Sequence, residues 1–145
     1  MNPTRLILDA LRLRHVQPFN GTSRAWVYAE EVRVGTGWRT VPGDEMDDAV
    51  RLGVEQRIDA FAFHTWPSKR YKRVAYEVKA SRSDLKRELN QPYKCAAALA
   101  LSNEFYLVAP TDVLEGFTLP DEWGVIEWTT TAQQRLIAPD EYEPI

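Results

Sequence analysis

The chain has 145 residues, of which 44% are hydrophobic and 27% charged, and a single Cys. That length fits one domain able to fold without disulfides or structural metals, and the composition excludes wholesale disorder. One Cys excludes an intrachain disulfide framework, two His are too few for a zinc-finger or metzincin-type site, and a net charge of -3 argues at first sight against a nucleic-acid partner.

Residues 3–16 are expected to be helical, with Asn2 as the cap and Pro3 at the first helical position. Pro18 and Asn20-Gly21 end that element. Residues 25–34 read as a strand, closed by Gly35-Thr36-Gly37, and the acidic stretch 43–55 as a short helix or a loop. Residues 57–63 and 74–80 are two further strands, joined by a basic connection over 64–73 that contains Pro67. Ser81 can cap a helix running to about Asn90, which Pro92 kinks or restarts and which continues over 93–101. Strands follow at 105–109, stopped by Pro110, and at 124–128. The order αβββαβ plus a short extra strand predicts an α/β (α+β) fold, a mixed sheet flanked by helices. Residues 1–137 are read as one domain and 138–145 as a loose acidic tail. No apolar run approaches the roughly 18 residues that span a bilayer, and no signal-peptide pattern opens the chain. A cytoplasmic protein with no membrane partner is therefore expected. Cys95, in an Ala/Leu-rich run, reads as a small buried hydrophobe, and Trp26, Trp38, Trp123 and Trp128 as core or sheet-edge packing.

The chemistry-bearing pattern is Asp59 followed by Glu77-Val78-Lys79. Side chains alternate along a strand, so Glu77 and Lys79 share one face and Val78 takes the other. If the strands carrying Asp59 and Glu77 pair antiparallel, two carboxylates and an ammonium meet on an apolar sheet. Such burial is costly unless the charges are paired or bind a metal. The oxygens of Asp59 and Glu77, with the Val78 carbonyl, suit a hard divalent cation such as Mg²⁺ or Mn²⁺. Lys79 would orient water or stabilise developing negative charge. The plain alternative is a solvated Glu-x-Lys pair on one face of an antiparallel strand.

Ile58-Asp59-Ala60 followed by Tyr76-Glu77-Val78-Lys79-Ala80-Ser81 resembles the signature of the PD-(D/E)XK nuclease superfamily. Glu31-Val32-Arg33, Trp66-Pro67-Ser68, the string 77–89, Pro92-Tyr93-Lys94, Tyr106–Pro110 and Trp123–Glu127 resemble a subgroup of small phage and bacterial proteins often described as DNA-repair or RecB-like nucleases. The resemblance covers about residues 26–128. It implies a restriction-endonuclease-like fold, metal binding by Asp59 and Glu77, and catalysis with Lys79. It implies a further acidic ligand at Glu31, with the adjacent Glu30 competing, and a phosphate or site contact at Lys94. Many enzymes of this superfamily dimerise to cut two strands, so the resemblance allows a homodimer. It departs where RecB-type nucleases carry Gln and Tyr four apart on the helix, because Gln91 and Tyr93 are two apart here. The stretch between Gly37 and Arg57 is also longer and more acidic than the family pattern.

Charge is distributed unevenly. Residues 66–94 hold nine basic and three acidic residues, a local charge of +6, and the remainder carries -9. Lys69, Arg70, Lys72, Arg73, Arg82, Lys86 and Lys94 are therefore candidate DNA contacts, with Trp66, Tyr71 and Tyr93 placed to stack on unpaired bases. The competing view makes Arg82, Lys86 and Arg87 a solvated helix face paired with Asp84 or Glu88. His64 opens the basic loop, where it either assists proton transfer or simply packs at a strand end. The expected function is Mg²⁺/Mn²⁺-dependent hydrolysis of DNA phosphodiester bonds, in phage or bacterial DNA repair or processing. The rivals are a non-catalytic nucleic-acid-binding or adaptor module on the same fold, and a protein-interaction domain that uses its acidic tail.

Overall fold

The computed structural model describes residues 2–16, 25–34 and 56–129. The expectations for Pro18, Asn20-Gly21, Gly35-Thr36-Gly37, Trp38, the acidic stretch 43–55 and the tail 138–145 lie outside the described residues.

Helix α1 spans Pro3–His15; the Asn2 side chain accepts from Thr4 N at 3.0 Å, and Pro3 occupies the first turn, where its missing N–H costs nothing. Strands β1 (Trp26–Val34), β2 (Gln56–His64) and β3 (Arg73–Val78) follow. A 3₁₀ turn at Pro67–Lys69 lies in the β2–β3 connection. Helix α2 is Arg82–Asn90, capped by Ser81, whose Oγ accepts from Asp84 N at 3.2 Å. Pro92 does restart the helical path: a 3₁₀ turn over Pro92–Cys95 leads into α3, Ala96–Leu101. Strand β4 (Glu104–Pro110) is followed by a one-turn helix α4 (Thr111–Leu114), which the sequence reading missed, and by β5 (Gly124–Trp128).

The five strands form one mixed sheet in the order β1-β2-β3-β4-β5. β1, β2 and β3 pair antiparallel, while β4 joins β3 in parallel after the α2–α3 crossover and β5 joins β4 in parallel. The class is therefore the α+β sheet-and-helix arrangement expected from the element order. Helix α1 covers one face through Ile7, Leu8 and Leu11, packed on Ala60, Ala62, Val74, Tyr76 and Val108. On the other face Leu85, Cys95 and Ala98 pack on Ala75, Phe105, Leu107 and Ala109. Trp26, Trp123 and Trp128 are all buried, as expected.

The β1–β2 hairpin changes face partway along. Trp26 and Tyr28 belong to the α1-side core, yet Val32 and Val34, in the same alternation, pack into the opposite core. On β2, Ala60 and Ala62 face α1 while Ile58 packs with Leu85 and Cys95. The switch coincides with Glu31, whose φ of 51° puts a non-glycine residue in the left-handed region. Beyond it the hairpin coils over the α2–α3 layer, where Gln56 Oε1 accepts from Ala97 N at 2.8 Å. This coiling pulls β2 away from β3. Their ladder runs from Phe63↔Arg73 to Ala60↔Tyr76 and ends there. The next residues on either side of the opening are Asp59 and Glu77.

Candidate active site

Asp59 closes the fork left by the diverging strands. Lys79 N donates to Val108 O of β4 at 3.0 Å, so by strand alternation the Val78 N–H points the other way, toward β2. No β2 carbonyl meets it; Asp59 Oδ2 accepts it instead, at 2.8 Å. Strand geometry turns the Val78 carbonyl to the same side, so it faces the fork with Asp59.

Glu77 and Lys79 emerge together toward α2, as alternation requires, while the Val78 side chain is buried in the α1-side core. Lys79 Nζ donates to Glu77 Oε1 at 2.8 Å and is 3.0 Å from Glu88 Oε2. Glu88 is a participant that sequence reasoning missed. It sits on the inward face of α2, 7% exposed, and also accepts from the Cys95 thiol at 3.0 Å. The signal for it was legible: Glu88 lies three residues after Leu85, on the same helix face. Cys95 is buried as expected, and burial, then its bond to Glu88, pushes its thiol pKa upward.

Among the described residues the cluster carries more negative than positive charge: Asp59, Glu77 and Glu88 against Lys79. The titration behaviour follows. Burial pushes Glu77 up to about 7, reinforced by the charge of Asp59 and opposed by Lys79. Burial raises Asp59 too, against the lowering effects of the Val78 N–H and Lys79, with Glu88 and Glu31 adding to the rise. For Lys79, burial works against the ammonium, but Glu77 and then Glu88 outweigh it and hold the pKa above the ordinary lysine value.

The residues present fit a divalent cation at the level of donor chemistry. Asp59 Oδ1 and Glu77 Oε2 accept no hydrogen bond among the described residues, and a 2+ charge would balance the surplus. Among the described residues, no three His, Cys, Asp or Glu side chains converge as a ready-made cage. Mg²⁺ does not require one, since it commonly takes one or two carboxylates and keeps waters or phosphate oxygens for the rest.

Of the two candidate accessory acids, Glu30 is engaged elsewhere. Glu30 turns to α1, where Arg5 grips it through two contacts of 2.9 and 2.6 Å and Arg12 approaches to 3.2 Å. The bond to Arg5 holds the Glu30 carboxyl below its usual range. Glu31 is exposed, falls between the paired residues Glu30↔Ala60 and Val32↔Ile58 of the β1–β2 ladder, and is close enough for its charge to raise Asp59.

The candidate DNA contacts separate into two groups. The basic loop is not beside the carboxylates, as the sequence reading placed it. It caps the opposite end of the β2–β3 hairpin: Arg73 is four residues from Glu77, about 13 Å along an extended strand, and the loop tip lies farther still. The reason is topological, because an antiparallel hairpin puts its turn at the end remote from the fork. His64 goes with the loop and is therefore remote from the carboxylates. It is 2% exposed, its Nδ1 accepts from Trp66 N at 3.1 Å, and burial lowers its pKa. Arg73 Nε donates to Leu101 O at 2.6 Å and Lys72 pairs with Glu104 at 2.5 Å. On the carboxylate side, Arg82 donates to the carbonyls of Asp112, Val113 and Glu115 and lies over the Phe117 ring, so its guanidinium fastens α4 to α2. Arg87 lies 3.8 Å from Asp84 in an exposed helical pair, while Lys86 and Lys94 are exposed.

No helix among the described residues is long and apolar enough to cross a membrane. In comparisons with known proteins, no family model, curated protein or solved structure matches this chain.

Proposed function

We propose that this protein is a metal-dependent nuclease that hydrolyses DNA phosphodiester bonds, acting in DNA repair or processing. The observation that carries the reading is the strand fork where Asp59 accepts the Val78 N–H beside Glu77, and Lys79 Nζ is held between the Glu77 and Glu88 carboxylates. The antiparallel β1-β2-β3 unit and the helical crossover to parallel β4 also support the restriction-endonuclease-like fold that the Asp59…Glu77-Val78-Lys79 pattern implies.

Asp59 and Glu77 would hold Mg²⁺ or Mn²⁺ through the oxygens not used by Val78 N and Lys79 Nζ, with the Val78 carbonyl as a neutral donor and Glu31 as an accessory acid. A bound divalent ion supplies a more acidic water and screens charge on the phosphate. Lys79 has three N–H donors, and Glu77 and Glu88 take two. The third is available to the attacking water or to a phosphate oxygen. Because the cluster keeps Lys79 protonated, its part is to orient the nucleophile and stabilise negative charge, not to remove a proton. Glu88 acts through Lys79 as a positioning residue. Lys86 and Lys94 would contact flanking phosphates.

The test is cleavage of plasmid and single-stranded DNA with Mg²⁺ or Mn²⁺. Unchanged cleavage by Asp59→Ala and Lys79→Ala would falsify the site. Salt-sensitive DNA binding with no metal-dependent cleavage by the parent protein would replace this reading with the non-catalytic binding module.

A further inference from the structure

The β2–β3 loop has an architecture of its own. It carries two large exposed aromatics, Trp66 at 39% and Tyr71 at 53% exposure, with Phe63 at 37% on the adjoining strand. The exposed Lys69 and Arg70 lie between Trp66 and Tyr71 in the chain, Lys72 pairs with Glu104 of β4, and residues 65–73 contain no acid. Two consecutive non-glycine residues at the tip are left-handed, Arg70 at φ 55° and Tyr71 at φ 50°. Each such residue costs on the order of 1 kcal/mol or more and persists only where surrounding bonds impose it.

Those bonds are present. Arg70 N donates to Pro67 O at 2.9 Å, Lys72 N to Lys69 O at 3.2 Å, and His64 N to Lys72 O at 2.8 Å. The buried His64 ring receives the Trp66 N–H and meets the Trp66 indole edge-on at 5.4 Å. Thr65 is tied to Ala25 O through both its N–H and its hydroxyl, at 2.7 and 3.0 Å. An exposed loop this well fastened has its ordering entropy spent before any ligand arrives.

We infer that this loop is a preformed clamp for single-stranded nucleic acid, separate from the carboxylate fork and holding the strand that runs away from it. The inference rests on the nuclease reading only for the choice of DNA as the polymer. Exposed aromatic faces stack on unpaired bases, which a duplex hides, while the neighbouring cations take the phosphates. A lipid surface fits less well. Insertion is driven by buried apolar area, whereas here Tyr71 lies between Arg70 and Lys72, and Trp66 only three residues from Lys69. The 13 Å or more between loop and fork lies within the span of a segment of several nucleotides.

The experiment is anisotropy titration of a fluorescein-labelled 12-residue oligo-dT, and of a duplex of equal length, in EDTA so that no cleavage intervenes. The parent protein should prefer the single strand. Trp66→Ala/Tyr71→Ala should weaken oligo-dT binding about tenfold or more and leave duplex binding within about twofold. Arg70→Ala should weaken both and flatten their salt dependence. Thermal melting verifies that each variant is folded. Undiminished oligo-dT binding by the double variant overturns the inference, as does an equal loss on duplex. Binding to phosphatidylglycerol vesicles in place of oligo-dT, lost in the same variant, overturns it in favour of a lipid partner. Selective oligo-dT binding by a protein that never cleaves DNA supports the clamp and removes the nuclease reading alone.

Discussion

The two ends of the β2–β3 hairpin solve opposite electrostatic problems. At the fork, like charges are buried together with too few counter-charges, and the fold bears the cost through raised carboxyl pKa values. At the loop, Lys69 and Arg70 are exposed to water while Lys72 is paired with Glu104, and the strain lies in the backbone at Arg70 and Tyr71. Buried surplus charge suits a small, multiply charged ligand that neutralises it. Exposed charge interleaved with rings suits a long flexible polymer. The comparison also predicts where mutations act: fork residues should trade stability against activity, and loop residues should alter binding with little effect on stability.

The largest expected effects are on activity at the fork. Asp59→Ala and Lys79→Ala should each lower metal-dependent cleavage by about 10²–10³-fold or more in a plasmid-nicking assay. Lys79→Met should in addition destabilise the fold by about 3–5 kcal/mol in denaturant melts at neutral pH, because Glu77 and Glu88 lose the largely buried cation they share.

Glu77→Gln should move stability the other way, with a pH signature. Free in the unfolded chain, Glu77 releases its proton near 4.5; in the fold it keeps it to about 7. The folded state therefore binds more protons across that interval, and the Glu77 contribution to stability falls as pH rises from 4.5 to 7. The melting temperature of Glu77→Gln relative to the parent should climb over that window without metal, and a flat difference would remove the buried-charge account. Mn²⁺ should reverse the ranking near pH 7.5 by stabilising the parent and not the variant.

His15 supplies the opposite sign on the α1 face. Burial, helped by Arg14, lowers its pKa from 6.5 to about 3, so its contribution is complete above 6.5 and is lost as pH falls toward 3, by about 2 kcal/mol at pH 5. Acid melts of His15→Gln should lack that component.

The smallest expected effects are on stability away from the fork. Arg82→Ala should cost about 1 kcal/mol in melts, through the lost carbonyl bonds to α4, while oligonucleotide affinity stays within about twofold. Trp66→Ala should shift stability by less than about 0.5 kcal/mol.

Much of this was legible in the residues. Alternation along a strand put Glu77 and Lys79 on one face and Val78 on the other, because the pleat allows nothing else. The Asn2-Pro3 and Ser81 caps marked helix starts, since their side chains satisfy N–H groups the helix leaves open. What sequence distance concealed was separation. Lys69–Arg73 precede Glu77 by only a few residues, and that closeness read as spatial adjacency. In an extended strand every intervening residue adds about 3.3 Å.

Element types, the in–out alternation and the Asp59…Glu77-Val78-Lys79 pattern were determined by the sequence itself, because they depend on local backbone geometry and side-chain chemistry. Only the tertiary structure decided that Glu30 turns to Arg5 on α1, that Glu88 joins Lys79 and takes the Cys95 thiol, and that Arg82 holds α4. It also decided that the buried carboxylates and the basic loop lie at opposite ends of one hairpin. Those outcomes depend on how the β1–β2 hairpin coils and on which helix face meets the sheet. Packing between distant segments sets both.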